Sequence, residues 1–553
     1  MYRSKATPTA LRLGLLLSFL LALAYAQVQD SLRPNHAARL EIVVTRSDTG
    51  ETVPARVYLF KEDRPFRLSP VDAFLPLRAD LFYRERLWRR SPDLATLEVT
   101  ANNFSHFILL NGSGAYDLPA SKSPKDYRLE VYRGTFFKPE VVEFTLEAEQ
   151  TRRLEVSLEP VAPGRQDEWI SADDHIHLMR AKEDDDVFLR WMEAEDLQVG
   201  NFLELQRQQH AAVQYAFGEA GEAKQAGSSI RSGHESRSRF YGHTLFLGGS
   251  QMVRPLSIGS EYANSPEAYP YPMLLFEQGR NLGALTGFAH FYGSQPNSTL
   301  LMNLAHGTID FVELFQFGVL KTEEWYELLN SGLRVVGLAG SDFPANMGRL
   351  NPYPGVVPLL GPERALVKAE PGESAYEAWA VGVRKGAVLL TNGPLLELKV
   401  NDQGPGDTVR WSGQSLTLAG RAEAVFHRPI EKVEIIRNGA IVARQLGDGA
   451  KTEVSLSFKV KADESSWIAA RVTAETRDGE PTIQAHTNPV YFLKGGQPVH
   501  LEWAREGLRA KWRKESAYYH GGDLQFAQET QRQGLLEKVD GATQTLSEPP
   551  SPN

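Results

Sequence analysis

Apolar and polar residues alternate in Arg39-Leu-Glu-Ile-Val-Val-Thr, Tyr127-Arg-Leu-Glu-Val-Tyr, Glu143-Phe-Thr-Leu-Glu and Arg153-Leu-Glu-Val-Ser-Leu. A period of two is the signature of strands buried on one face. With turn residues between them, roughly seven such segments predict a small β-sandwich over 30–163. Its interior stretch Ser69 to Arg90 is less regular and reads as a loop or insertion, and Val161-Ala-Pro-Gly-Arg-Gln-Asp reads as a linker.

From Glu168-Trp169-Ile170 the pattern changes to strands alternating with helices. Asp185 to Asp196 predicts a helix, with Val187, Leu189, Trp191 and Met192 on its apolar side, feeding a strand at Val199 to Leu205. Further strands are expected at Thr244 to Leu247, Gly283 to Ala289, Ile309 to Phe315 and Leu333 to Ala339. Helices are expected at Tyr271 to Gln278 and at Thr322 to Asn330, the latter opening on a threonine cap. Such alternation argues for an α/β barrel or sheet over 167–397. Alternation of period two returns in Ser415-Leu-Thr-Leu-Ala-Gly, Lys432-Val-Glu-Ile-Ile-Arg and Trp467-Ile-Ala-Ala-Arg-Val, with Asn438-Gly439 as a hairpin turn. A second small β-sandwich is therefore expected over 398–494, followed by a helical tail over 495–553 whose Ser/Pro-rich end reads as disordered.

The chain has 553 residues, 42% hydrophobic and 23% charged, enough for several domains. A net charge of -9 argues against a basic nucleic-acid-binding surface. Arg3, Lys5 and Arg12 precede the apolar run Leu13 to Leu23 and the small-residue site Ala24-Tyr25-Ala26, the pattern of a secretory signal peptide over 1–26. The run is too short to span a bilayer, so a secreted or periplasmic chain without a membrane anchor is expected. There is no cysteine, hence no disulfide and no thiolate ligand, which suits a bacterial envelope.

Asp173-Asp174-His175-Ile176-His177 sets two imidazoles on one face of an extended segment, with Asp173 beside them. Downstream, polar residues recur near expected strand ends: Glu235 in Ser-Gly-His-Glu, His243 in Gly-His, His290 in Gly-Phe-Ala-His and Asp342 in Gly-Ser-Asp. Strand ends of α/β folds converge on one face, and imidazoles with carboxylates there suit Zn²⁺, Mn²⁺ or Fe²⁺. Seven of the 13 histidines fall between 175 and 306, although His210, His234 and His306 read as loop residues.

These pieces resemble the PHP (polymerase and histidinol phosphatase) superfamily of metal hydrolases, and more narrowly its secreted CehA/McbA-type branch, named for a carbaryl-hydrolysing member. Trp379 through Arg384-Lys-Gly-Ala-Val-Leu-Leu-Thr391-Asn-Gly-Pro394 resembles the strand and turn closing that domain, a distorted (β/α) barrel. Ala485-His-Thr-Asn-Pro-Val-Tyr491 resembles the end of the sandwich that follows it, and the first sandwich is similar to the regulatory-type modules that precede it. The resemblance implies His175, His177, Glu235 and Asp342 around one divalent ion, with Glu235 bridging to a second held by His243 and His290. Two histidines of the trinuclear pattern are absent: Leu203-Glu204-Leu205 replaces Thr-Asp-His, and Pro344 replaces the histidine after Gly-Ser-Asp. A binuclear site follows, with ligation by Glu204 or Asp185 left open. The implied chemistry is hydrolysis of a small phosphoester, carboxylic ester or carbamic ester by metal-bound hydroxide. Asp342 and Glu235 act in catalysis, and Arg237 and Arg239 are candidates for an anionic substrate oxygen. Tyr292 and His306 are weaker candidates. The rival readings are a degenerate, non-catalytic binding protein and a glycan-binding surface protein.

Overall fold

The computed structural model describes residues 37–66, 75–76, 88–90, 95–101, 104–123, 126–206, 211–225, 227–259, 267–291, 299–344, 359–368 and 374–547. The expected leader at 1–26, the tail end at 548–553, His210, Tyr292 and most of Ser69 to Arg90 lie outside them. The architecture is mixed α/β with several β-sheets.

The first region holds β1 (Ala37–Arg46), β2 (Ala55–Lys61), β3 (Thr96–Ala101), β4 (Phe104–Leu109), β5 (Ser113–Pro119), β6 (Tyr127–Tyr132), β7 (Glu140–Phe144) and β8 (Thr151–Leu158). β1 pairs with β8 in parallel and with β5 antiparallel, while β7, β6, β2, β4 and β3 form a second sheet. Every second residue of β1 turns inward: Leu40, Ile42 and Val44 meet Val57, Leu59, Leu129 and Val131 in one core. The opposite face of the second sheet, the side of β3 and β4 turned away from this core, is covered by the following region. Leu97, Val99, Ile108 and Leu110 share a separate apolar cluster with Phe188, Trp191, Phe202 and Phe343 of the following region. Arg56 of β2 also reaches the buried Glu195, at 2.5 Å.

The second region runs β9 (Trp169–Ile176), α1 (Asp185–Ala194), β10 (Val199–Gln206), β11 (Ser228–Ser238), β12 (Gly242–Leu247), α2 (Pro272–Asn281), β13 (Leu285–Phe288) and α3 (Leu300–Ala305). It continues with β14 (Phe311–Gln316), β15 (Val319–Leu320), α4 (Thr322–Asn330), β16 (Val336–Ala339), β17 (Arg364–Lys368), α5 (Ala375–Lys385) and β18 (Leu389–Thr391). β9, β10 and β11 are parallel; β12 runs against both β11 and β13; β13, β14 and β16 are again parallel. Six strands therefore point one way, with β12 reversed in their midst. A single parallel bridge between Ile176 and Phe343 brings the chain beyond β16 back to the end of β9. Trp325 of α4 fastens that helix to the sheet by donating its indole N–H to the Val335 carbonyl, at 3.0 Å.

The helices and strands read from periodicity recur here with ends shifted by a few residues, and three local readings change. Thr322 is the first helical residue of α4 rather than its cap, and Glu323 and Glu324 supply the negative charge its N-terminus favours. Trp379 to Arg384 lies in helix α5, not a strand; Ser374 accepts a hydrogen bond from Glu377 N to open it, and Gly386 ends it at φ 78°. His234 is not a loop residue: it is inside β11, stacked on Phe246, whereas His306 does lie in the turn just after α3, its ring against the Lys538 carbonyl.

The third region has β19 (Leu395–Val400), β20 (Thr408–Trp411), β21 (Leu416–Val425), β22 (Ile430–Arg437), β23 (Ala440–Leu446), β24 (Glu453–Ala462), β25 (Ser466–Ala474), β26 (Gln484–Thr487) and β27 (Val490–Lys494). β19, β21 and β24 form one sheet, while β26 pairs with β18, so the other sheet is continuous with the second region. Helices α6 (Glu502–His520) and α7 (Glu529–Ser547) follow. Leu508, Trp512, Tyr519, Leu535 and Val539 from them join the same core as Phe276, Trp325 and Trp379. Among the described residues no helix is long and apolar enough to cross a membrane.

Candidate metal centre

Strand direction explains why distant residues meet. His175 lies at the end of β9, His177 just follows it, His290 lies just past β13, and Asp342 just past β16. His243 lies at the start of β12, whose reversed direction sets that start on the same side as the other strands' ends, opposite Arg237 of β11. Three sets of ligand atoms converge: His175, His177 and Glu235; His175, His290 and Asp342; and Glu235, His243 and His290. Within each set the atoms lie within 4.8 Å of one another. These are the residues that the sequence nominates as ligands.

The tautomers are set from behind. His175 Nδ1 donates to Glu313 Oε1 at 2.8 Å, and His177 Nδ1 donates to the Leu203 carbonyl at 3.1 Å. Each ring then presents its Nε2 lone pair inward, and the two Nε2 atoms stand 2.9 Å apart. Two bare lone pairs repel at that distance, so a proton or a metal cation has to lie between or beside them. Glu235 Oε2 is 3.0 Å from His177 Nε2, and Asp342 Oδ1 is 3.4 Å from it. His290 Nδ1 donates to Gln316 Oε1 at 2.5 Å, which leaves its Nε2 facing Glu235 and Asp342. Orientation of each imidazole by a carboxylate, amide or carbonyl behind it is the arrangement metal-ligating histidines show. The donor set, nitrogen and carboxylate oxygen without sulfur, fits a first-row divalent ion.

Electrostatics agree. Burial disfavours the charge of Glu235, but Arg237 and the His243 ring outweigh it, holding the carboxyl well below the usual range. Burial pushes His243 down to about 4, leaving it neutral and able to ligate. For His290, burial is outweighed by its hydrogen bonds to Glu235 and Glu313, and its pKa rises to about 10. His175 is likewise raised, burial notwithstanding, by Glu313 and Asp342. Glu313 itself falls to about 2, because His175 outweighs its desolvation.

A metal therefore competes with protons on His175 and His290. Both shifts favour the protonated ring when no cation is bound, so metal uptake near neutral pH should release protons. Their folded pKa values lie above the ordinary value of about 6.5. In the metal-free protein the His290 contribution to stability is therefore full below that pH and is lost as pH rises through about 10, and the His175 contribution has the same sign. Apparent metal affinity should rise over the same window. Calorimetric titration in buffers of different ionisation enthalpy reads the proton count; an absence of proton release would refute this charge assignment.

Other expected residues stand apart from the three sets. Asp173 is buried and accepts from His175 N, Ser341 N and Oγ, and Gly361 N, so it shapes the backbone under the site. Asp185 accepts from Arg180 Nη1 at 3.0 Å and from the Tyr215 hydroxyl at 2.8 Å, with the Arg180 side chain fully buried. A guanidinium thus supplies the positive charge beside Asp185. Glu204 accepts from Gln214 N at 2.6 Å. Arg237 donates to Glu235 Oε2 at 2.9 Å, whereas Arg239 is exposed, past the end of β11, over the Phe240 ring.

Sequence reasoning missed Glu313 and Gln316. Glu313 is buried behind the site, bonding His175 Nδ1, the His290 backbone N–H and Gln316 Nε2. Its one signal is a lone charge within Phe311-Val-Glu-Leu-Phe, an otherwise apolar strand.

No family model matches the chain, and no curated protein matches it. Among solved structures it is similar to Endonuclease Q in complex with a 27-mer duplex bearing an abasic lesion, at 14% identity over 38% of this chain and 57% of that one, with a TM-score of 0.24. The chain thus spans little more than half of that protein. A second is the CARDB domain of a Pyrococcus furiosus protein, at 18% identity over 18% of this chain and 95% of that domain, with a TM-score of 0.13. At these TM-scores neither match fixes the fold or the chemistry.

Proposed function

We propose that the chain is a secreted metal-dependent hydrolase of ester bonds in small phosphoesters or carboxylic or carbamic esters, built on a distorted PHP-type barrel and holding two divalent cations. The carrying observation is the pair of inward Nε2 lone pairs on His175 and His177, fixed by Glu313 and the Leu203 carbonyl. His175, His177, Glu235 and Asp342 would hold one cation; Glu235, His243 and His290 the other. Bound divalent cations supply Lewis acidity, making hydroxide available near neutral pH and offsetting charge on the departing oxygen.

The protein's own groups do the rest. Glu235 offers one oxygen to each half of the site: Oε2 toward His177, and Oε1 toward His243 at 2.8 Å. Arg237 holds that carboxylate ionised and in place. Asp342, buried with Oδ1 3.4 Å from His177 Nε2, is the carboxylate that would take up a proton from the attacking water. Contact of Arg237 and Arg239 with an anionic substrate oxygen belongs to the same proposal.

Chromogenic phosphate monoesters, phosphodiesters and naphthyl esters, offered to protein loaded with zinc, manganese or iron, test it. At least one class is turned over, the turnover disappears in chelator, and re-addition of metal restores it. Bound metal without cleavage of any class would make the protein a binding module instead; no bound metal would remove the proposal altogether.

A further inference from the structure

The turn between β11 and β12 is Arg239-Phe240-Tyr241, since Ser238 pairs with Gly242 and Arg237 with His243. Ser238 Oγ closes it by accepting from Phe240 N and Tyr241 N, at 3.1 and 3.2 Å. Phe240 and Tyr241 are both buried. Glu235 lies on the strand before this turn and His243 on the strand after it, so whatever holds the turn also holds the His243 backbone against β11. The His243 carbonyl in turn accepts from Ala289 N at 3.1 Å, next to His290. The half of the cluster made by Glu235, His243 and His290 is thus tied to this turn.

The turn is gripped by the C-terminal helices. Tyr518 of α6 donates its hydroxyl to the Phe240 carbonyl at 3.0 Å. The Gln525 carbonyl, between α6 and α7, accepts from Ala268 N at 2.7 Å, and the Ala268 carbonyl accepts from the Tyr241 hydroxyl at 2.6 Å. A third link runs through α3. Thr299 Oγ1 donates to the Tyr241 carbonyl at 3.3 Å, and Glu515 of α6 accepts from Leu301 N and Met302 N at 3.1 and 3.0 Å. Tyr519 orients that carboxylate by donating to Glu515 Oε1 at 3.0 Å. The other half of the cluster is held by different groups: His177 N donates to the Phe343 carbonyl at 2.6 Å, and Ser341, next to Asp342, donates to Asp173 from its N–H and its hydroxyl. Partners behind the ligands govern metal affinity along with the ligands themselves.

We infer that Tyr518 and Glu515 are positioning residues for the cation held by Glu235, His243 and His290, and that docking of the tail helices completes that half of the centre. This rests on the two-cation reading and not on the ester chemistry. The coupling is reciprocal: a tail that strengthens cation binding is itself held more tightly once the cation is bound. The tail therefore belongs to the centre, although it supplies no ligand.

Tyr518→Phe removes one hydroxyl and keeps the ring. Zinc titrated into the metal-free full-length chain, in competition with a chromogenic chelator, should bind in two steps, one of which His243→Ala removes. That step should weaken by about fivefold in Tyr518→Phe, the worth of one hydrogen bond. It should weaken further in Glu515→Ala, while the other step keeps its affinity. In metal-free protein, amide exchange from Phe240 to His243 should quicken in both variants. Thr543→Val serves as the control: it cuts the bond from Trp512 Nε1 to Thr543 Oγ1 between α6 and α7, and should lower the melting temperature without moving either step. Two zinc ions bound with unchanged affinity in Tyr518→Phe and Glu515→Ala overturn the positioning role and leave the two-cation reading standing. Weakening of both steps together, or an equal effect of Thr543→Val, also overturns it, because the tail would then only stabilise the fold. A parent that binds fewer than two zinc ions overturns both readings. Selective weakening in a protein that cleaves no ester would sink the hydrolase reading and leave the role of the tail intact.

Discussion

Glu235→Ala should empty the site of metal and abolish hydrolysis together, a loss of about a hundredfold or more in turnover. The carboxylate is fully buried, and its two oxygens serve different halves of the cluster. Oε2 lies 3.0 Å from His177 Nε2 and 3.9 Å from His175 Nε2. Oε1 lies 2.8 Å from His243 Nδ1 and 3.7 Å from His290 Nε2. A histidine variant removes one donor from the cluster, whereas this change removes one from each half and leaves the Arg237 guanidinium buried without its carboxylate. Glu235→Gln keeps the volume and removes the charge, so it should fold like the parent and still lose metal. Elemental analysis, circular dichroism and turnover on the same samples separate the outcomes; full metal content and rate in both variants would withdraw Glu235 from the site.

What the sequence discloses depends on how burial is distributed. His175, His177, His290 and Asp342 stand out because each interrupts or follows an apolar strand, where a polar side chain has no packing role. Glu313 escapes the same logic. In a strand with one wet face a single glutamate is unremarkable, and only the covering of both faces of β14 makes it a buried charge. β11 is the converse case. Ser228-Ser-Ile-Arg-Ser-Gly-His-Glu-Ser-Arg-Ser has the composition of a solvated run, yet nearly every residue is buried between β10 and β12. Its polarity is matched by partners that lie far away in sequence, which periodicity cannot register. Helix α5 is hidden for another reason: the family resemblance around Trp379 points to a strand, against the local evidence of a Ser374 cap and a Gly386 stop. The tail helices are legible as helices, but not as part of the central core, since their apolar stripe does not name the surface it covers.

Arg56→Ala should cost about 3–5 kcal/mol at the junction of the first two regions. Arg56 and Glu195 are 7% and 2% exposed at their side chains, and the pair joins β2 to the end of α1. Such a pair contributes little net stability when intact, because desolvation offsets most of the attraction. Removing one member is different: the Glu195 carboxylate would lose its hydrogen-bonded partner and keep only the Arg364 guanidinium as a positive neighbour, beside a sheet whose cluster includes Phe188 and Trp191. The guanidinium also lies over the Tyr132 ring, 5.0 Å from its centroid, so alanine forfeits packing as well. The double variant Arg56→Met with Glu195→Leu removes both charges and refills the space, and should return to within about 1 kcal/mol of the parent. Urea unfolding followed by hydrogen exchange in β2 and α1 reads both effects. If the single variant matches the parent, the junction is held by the shared apolar cluster alone; if the double variant is as unstable as the single, the cost lies in lost packing rather than in the stranded carboxylate.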